Sequence, residues 1–312
     1  MEPFNNPQLK LAHDFVQYTN KNIFLTGKAG TGKTTFLLNL KGKSNKRMIV
    51  VAPTGVAAIN AGGVTIHSFF QLSFGPHIPV DAINHYSSSS SSTGQNTYNQ
   101  SFVNKFNREK INIIKSLDLL VIDEISMVRA DVLDGIDEVL RRYKDRYKPF
   151  GGVQLLMIGD LQQLAPVVRS EDWDLLKEHY STMFFFGSKA LQKTQHISIE
   201  LKHIYRQKDD AFIQILNRVR DNNMDAATLL ELNKRYIPGF AEKSEDGYIT
   251  LTTHIAQAQQ INDTKLAKLS VKPHQFGATV SGDFPEFNYP TDNNLTLKIG
   301  AQVMFMKNDS SY

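Results

Sequence analysis

Residues 22–35 read NIFLTGKAGTGKTT. The first five are a short apolar run of the kind that forms a buried strand, and residues 34–40 continue as the start of a helix. Between them, Gly27-Lys28-Ala29-Gly30-Thr31-Gly32-Lys33-Thr34 meets the pattern G-x-x-x-x-G-K-[ST] at every fixed position. The spacing has a physical reason. Glycines let the chain turn so that successive backbone N–H groups face one cradle. The helix that starts there adds the positive end of its dipole, which favours anions. Lys33 is then placed to reach the β- and γ-phosphates of a nucleotide, and the Thr34 hydroxyl to ligate Mg²⁺. Strand, glycine-rich turn and helix in this order predict an α/β fold built on a phosphate-binding loop.

Three more continuous apolar runs lie downstream: RMIVVA at 47–52, LDLLVI at 117–122 and VQLLMI at 153–158. Strands with no polar alternation, separated by helical stretches, predict a parallel sheet covered on both faces. Residues 131–143 carry Val132, Ile136, Val139 and Leu140 on one side, with Asp134, Asp137, Arg141 and Arg142 elsewhere, which predicts an amphipathic surface helix. Six serines, Ser87 to Ser92, sit in a polar stretch at 85–100 and predict a mobile loop within an insertion spanning about 71–112. The pattern restarts after about 195, with helix-like 212–220 and 226–236, a strand at 248–252 and a helix at 256–269. The reading is a first domain over 1–197 and a second α/β domain over 198–312.

Composition narrows the classes. The chain has 312 residues, 41% of them hydrophobic, which suits about two domains of roughly 100–200 residues each. It has no cysteine, so disulfide frameworks and cysteine-based zinc sites are excluded. The apolar runs are far short of the roughly 20 residues that span a bilayer. The opening MEPFNN lacks the basic-then-apolar order of a signal peptide. These features predict a soluble intracellular protein without a membrane partner. A formal net charge of +4 permits a nucleic-acid partner without demanding one.

Asp123-Glu124 closes the run LDLLVI. A parallel strand aims its C-terminal residues at the ligand crevice. Asp123 can therefore hold Mg²⁺ through water, and Glu124 can polarise an attacking water as general base. Gln163, in GDLQQLAP at 159–166, leaves the next strand and could sense the γ-phosphate, although alone it fits an ordinary loop residue. PTGVAA at 53–58 and TIHSFF at 65–70 flank a glycine-rich turn. Their small residues suit phosphate backbones, and an aromatic there could stack on a base. By chemistry alone, His67 fits a structural histidine better, and Phe69 and Phe70 fit core positions better. Arg206, in LKHIYRQ at 201–207, could stabilise charge on a transferring phosphoryl group, but a solvated arginine is the plainer reading.

Taken together, these segments resemble the petite-integration-frequency (Pif) family of superfamily-one DNA helicases. The specific stretch is LLVIDEISMVRADVLDGIDEVL followed by PFGGVQLLMIGDLQQLAPV, over 119–167. The order EISM, PFGG, then GD-x-x-QL-x-P separates it from exonuclease-associated helicases, which share only the phosphate loop, Asp-Glu and Gln segments. The resemblance implies a RecA-like motor domain with a small wedge insertion, followed by part of a second one. It implies ATP and Mg²⁺ as cofactors, translocation 5′ to 3′ on single-stranded DNA, and unwinding of duplexes, with fork or G-quadruplex DNA as partners. It also implies a monomer with roles in repair, recombination and telomere maintenance, placed in the cytoplasm of a bacterium or in the nucleus or mitochondrion of a eukaryote. Gln8 would read adenine. Gly27, Lys28, Ala29, Gly30, Thr31, Gly32, Lys33, Thr34 and Thr35 would hold phosphates. Thr34 and Asp123 would hold Mg²⁺, with Glu124 activating water. Gln163 would be the sensor and Arg206 the arginine finger. Thr54, Gly55, His67 and Ser68 would touch the DNA strand. Ala165 stands where the family usually has proline. Residues 297–308, LKIGAQVMFMKN, resemble a segment inside the second motor domain, and the family's later Thr-x-His-Lys-x-Gln-Gly and Ala-x-Ser-Arg stretches do not follow. The expectation is thus a truncated helicase. The alternative is an ATP- and DNA-binding fragment without unwinding activity.

Overall fold

The structure, a computed structural model, describes residues 6–73, 75–78, 106–207, 209–240, 248–280 and 291–304. The serine-rich stretch and most of the expected 71–112 insertion lie outside the described residues. Within them the elements run α1 (Pro7–Tyr18), β1 (Asn22–Gly27), α2 (Lys33–Lys43), β2 (Met48–Ala52), α3 (Gly55–Asn60), β3 (Val64–Thr65), α4 (Ile66–Phe70) and α5 (Arg108–Ser116). Next come β4 (Leu119–Ile122), α6 (Ala130–Tyr143), β5 (Gln154–Ile158), α7 (Ser170–Leu176), α8 (Lys189–Gln192), β6 (His196–Leu201) and α9 (Asp210–Arg220). The chain continues with α10 (Ala226–Asn233), α11 (Ile255–Lys268), β7 (His274–Gly277) and β8 (Asn294–Leu297).

The first six strands form one sheet in the order β3-β2-β4-β5-β1-β6. Every pairing is parallel, as the unbroken apolar runs predict. The pleat sends alternate residues to opposite faces. Ile23, Leu25, Leu119, Val121, Leu156 and Ile158 pack with Leu9, Ala12 and Val16 of α1 and Phe36, Leu37 and Leu40 of α2. Phe24, Leu120, Ile122, Leu155 and Met157 pack with Ile114 of α5 and Leu133, Ile136, Val139 and Leu140 of α6. Two cores on one sheet need apolar residues at every strand position, and β4 and β5 are buried throughout.

Helix α6 corrects one expectation. It is not a surface helix, since Asp131 and Asp137 are buried. Asp137 Oδ1 accepts the Phe150 N–H at 2.5 Å, and Asp131 pairs with Arg129 at 2.5 Å. The Asp137 bond pins the PFGG turn, where Phe150 takes φ 53° and Gly151 φ 60°. A Cβ on Gly151 would lie 2.7 Å from the Leu140 carbonyl oxygen, so the turn fits under the end of α6 only as glycine.

The chain divides into two compact units, Met1–Asn223 and Met224–Tyr312. The division expected at 198 falls inside β6, which pairs with β1 from His196 to Leu201. The second unit contains α10, α11 and the antiparallel pair β7–β8. Thr228 is its one buried residue among those described. The strand expected at 248–252 is irregular and mostly exposed.

Candidate functional site

Because the first sheet is parallel, the C-terminal ends of all six strands lie along one edge, where ligands of open α/β sheets bind. Each expected site residue of the sheet region leaves one of those ends. Thr54 follows β2, His67 follows β3, Asp123 follows β4, Gln163 follows β5, the phosphate loop follows β1, and Arg206 follows β6. Gln8 stands apart in sequence, in the first turn of α1, where its N–H donates to the Asn6 cap at 2.9 Å.

The loop itself is held in left-handed backbone at Gly30 (φ 78°) and Gly32 (φ 89°). Lys33 Nζ donates to the Gly27 carbonyl at 2.6 Å and the Lys28 carbonyl at 3.0 Å. Buried Thr31 donates its hydroxyl to the Lys28 carbonyl at 2.9 Å. Lys28 Nζ donates to Asn217 Oδ1 of α9 at 2.7 Å, while Ala29, Thr34 and Thr35 are exposed. The segment after β6 lies against this loop. Tyr205 N–H donates to the Gly30 carbonyl at 2.8 Å, and a Cβ on Gly30 would come within 2.7 Å of Arg206 Cβ. Arg206 is exposed beside the loop it is expected to serve.

The acidic pair is adjacent in the electrostatic sense that matters. Burial holds Lys33 below the usual lysine range, while the charges of Asp160, Glu124 and Asp123 work against that shift and Arg220 adds to it. Asp123 is pushed up to about 6, first by burial and then by the Glu124 charge. Glu124 takes φ 52° and ψ 44°, a left-handed conformation uncommon for a non-glycine residue. Gly159 lets the end of β5 approach this turn, since a Cβ there would lie 2.8 Å from Ile125 Cγ2.

Gln163 is not an isolated loop residue. Its Nε2 donates to Asp160 Oδ2 at 2.8 Å, and Asp160 is gripped in turn by Arg220 at 2.5 and 2.7 Å. Burial opposes the Asp160 charge, but Arg220, Gln163 and the Gln162 N–H outweigh it and hold the carboxyl below its usual range. Asp160, Asn217 and Arg220 were not singled out from sequence. Asp160 follows a strand-ending glycine, which is a usable signal. Nothing in α9 distinguishes Asn217 and Arg220 from solvated helix residues.

On the other wing, Thr54 caps α3 by accepting the Ala57 N–H at 3.2 Å, and Thr65 caps α4 by accepting the Ser68 N–H at 3.3 Å. Thr54 and Ser68 are exposed, Gly55 is partly exposed, and half-buried His67 is held below its ordinary pKa by burial and then by Arg129. Phe69 and Phe70 are both buried, edge to face at 4.9 Å, so they serve the core and not base stacking. Lys110, also missed, donates to the Ser68 carbonyl at 3.0 Å and sits 4.8 Å over the Phe69 ring.

The donor set fits a magnesium–nucleotide pair. Two left-handed glycines open a cradle of N–H groups beside a lysine whose present partners are neutral carbonyls. Opposite stands a carboxylate pair whose mutual repulsion a cation would relieve. Among the described residues no cluster of three or more His, Cys, Asp or Glu could hold a metal alone.

A family model described as PIF1-like helicase matches residues 8–229. The ATP-dependent DNA helicase PIF1 of Saccharomyces cerevisiae is 34% identical over 303 residues, covering 92% of this chain and 32% of that protein. The Pif1 helicase from Bacteroides, solved in complex with ADP-AlF3 and single-stranded DNA, superposes with a TM-score of 0.84 at 38% identity, covering 98% of this chain and 66% of that one. A structure of two coordinating Pif1 helicases at forked double-stranded DNA gives a TM-score of 0.80 at 38% identity, covering 94% of this chain and 65% of that one. The first sheet is thus a RecA-like P-loop fold. The chain spans about a third of the length of the yeast relative.

Proposed function

The chain belongs to the PIF1-like helicase family, and from that premise we propose that it is the ATP-driven motor portion of a DNA helicase. The observation that carries this reading is that the phosphate loop with Lys33, the Asp123-Glu124 pair and Asp160 follow the carboxyl ends of three adjacent parallel strands, β1, β4 and β5.

In this reading Lys33 exchanges the Gly27 and Lys28 carbonyls for the β- and γ-phosphates. Residues 27–35 cradle the phosphate chain, and Gln8 reads adenine. Thr34 and Asp123 would hold Mg²⁺, which would supply positive charge against the phosphates. Glu124 polarises the attacking water. Gln163, the γ-phosphate sensor, orients that water, and Arg206 meets charge on the transferring group. Thr54, Gly55, His67 and Ser68, along the same sheet edge, face the phosphates of single-stranded DNA. The motor steps 5′ to 3′ as a monomer, with fork or G-quadruplex DNA as the unwound partner.

ATP hydrolysis measured with and without a single-stranded oligonucleotide tests the reading. Stimulation by DNA is expected, and equal rates would count against a DNA motor. A second reading has support in the second unit, which buries a single residue among those described. In it, this chain alone binds ATP and DNA without separating strands. A forked-duplex unwinding assay distinguishes the two.

A further inference from the structure

Asp160 is 1% exposed, and both of its oxygens are taken. Oδ1 accepts Arg220 Nη2 at 2.7 Å and the Gln162 N–H at 3.2 Å. Oδ2 accepts Arg220 Nη1 at 2.5 Å and Gln163 Nε2 at 2.8 Å. A carboxylate offers about four acceptor sites, and here each is used. A two-armed guanidinium grip also fixes the plane of the carboxylate, which a single ammonium would not do. Because Asp160 can only accept, the Gln163 amide must turn its nitrogen inward and present Oε1 outward. That is the acceptor an attacking water needs.

The gripping arginine is the last residue of α9. Asn217, three residues earlier and therefore on the same helix face, accepts Lys28 Nζ of the phosphate loop at 2.7 Å. One helix face thus holds both the phosphate loop and the loop that carries the sensor. Arg220 also acts on Lys33 through its charge.

We infer that Arg220 is a positioning residue for hydrolysis: through Asp160 it sets the direction of the Gln163 amide, and it does so without touching nucleotide. The inference rests on Gln163 being the γ-phosphate sensor proposed above.

The test uses the whole chain and two readouts: ATP turnover with saturating oligonucleotide, and competitive binding of ADP and AMP-PNP. Arg220→Ala is expected to lower kcat on the order of a hundredfold, the scale of a misplaced catalytic group. The KM for ATP should stay within about twofold. Placed on Gln163→Ala, the same change should add no further loss, because the two side chains act through one contact chain. Arg220→Lys, which keeps the charge but loses the fork, should recover part of the rate. An effect on KM alone, or a fully additive loss in the double variant, overturns the inference. If Arg220→Ala does not fold, Asp160→Asn must show the same split between kcat and KM, and a change confined to KM overturns it equally. If the wild type turns over no ATP, the motor reading fails by itself and binding decides. A wild-type preference for AMP-PNP over ADP that Arg220→Ala abolishes supports the inference. No preference, or one left intact, overturns it.

Discussion

Lys33 holds the carbonyls of its own loop, so an arriving phosphate meets an ammonium already aimed inward. Lys33→Ala is expected to reduce phosphate release by at least about 10²- to 10³-fold, the scale of removing one preorganised charge-stabilising donor, with the circular dichroism spectrum unchanged. Unaltered turnover would remove the assigned role. Gly63 makes a structural prediction. A Cβ there would sit 2.3 Å from the Val50 carbonyl oxygen, closer than any real contact, so Gly63→Ala is expected to cost about 1–3 kcal/mol in a denaturant titration. At this scale the site was legible where its chemistry is local. The phosphate loop and Asp123-Glu124 each declare themselves within a few residues. Arg220 and Asn217 did not, because their meaning lies in partners 60 and 189 residues away.

Elements built on continuous apolar runs were read correctly, since two-sided burial leaves its mark on every position. Strand β6 was missed because it lies at the sheet edge, where HISIEL buries only Ile199 and Leu201. Helix α6 was misjudged because its aspartates look like a wet face, whereas Asp137 is a buried anchor for the turn before β5 and Asp134 accepts from Tyr180, Ser188 and the Ala190 N–H. The start of the β2–β4 pairing makes its own prediction. Arg47 bonds Asp118 with two nitrogens and its backbone N–H, and this hydrogen bonding holds the carboxyl at about 2, against 3.8 unperturbed. A folded-state pKa below the unfolded one gives stability that is present above 3.8 and lost as pH falls toward 2. The melting-temperature difference between wild type and Arg47→Met should therefore be largest near neutrality and shrink through that window. It should be small throughout, because the pair is wet and screened. A difference that grows on acidification would contradict the assignment.

Over the whole molecule, burial is unequal. The second unit exposes Leu230, Tyr236, Ile237, Tyr248, Ile249, Leu251 and Ile255. Regions with few buried apolar contacts open most readily. Limited trypsin digestion is expected to cut after about Asn223 before it cuts within the six-stranded sheet. Early cuts within β4 or β5 would refute this. A change of pattern in the sequence does not reveal which sheet an edge strand joins, and residue 198 lies within β6. The strand order has a further consequence, for synthesis on the ribosome. Ile23 has Leu156 on one side and Ile197 on the other. The strand that carries the phosphate loop is made first and gains its neighbours last. Nascent chains halted before Leu201 should capture no nucleotide, so ATP cannot template the early steps of this fold, and the emerging amino-terminal half must stay free of aggregation without that help.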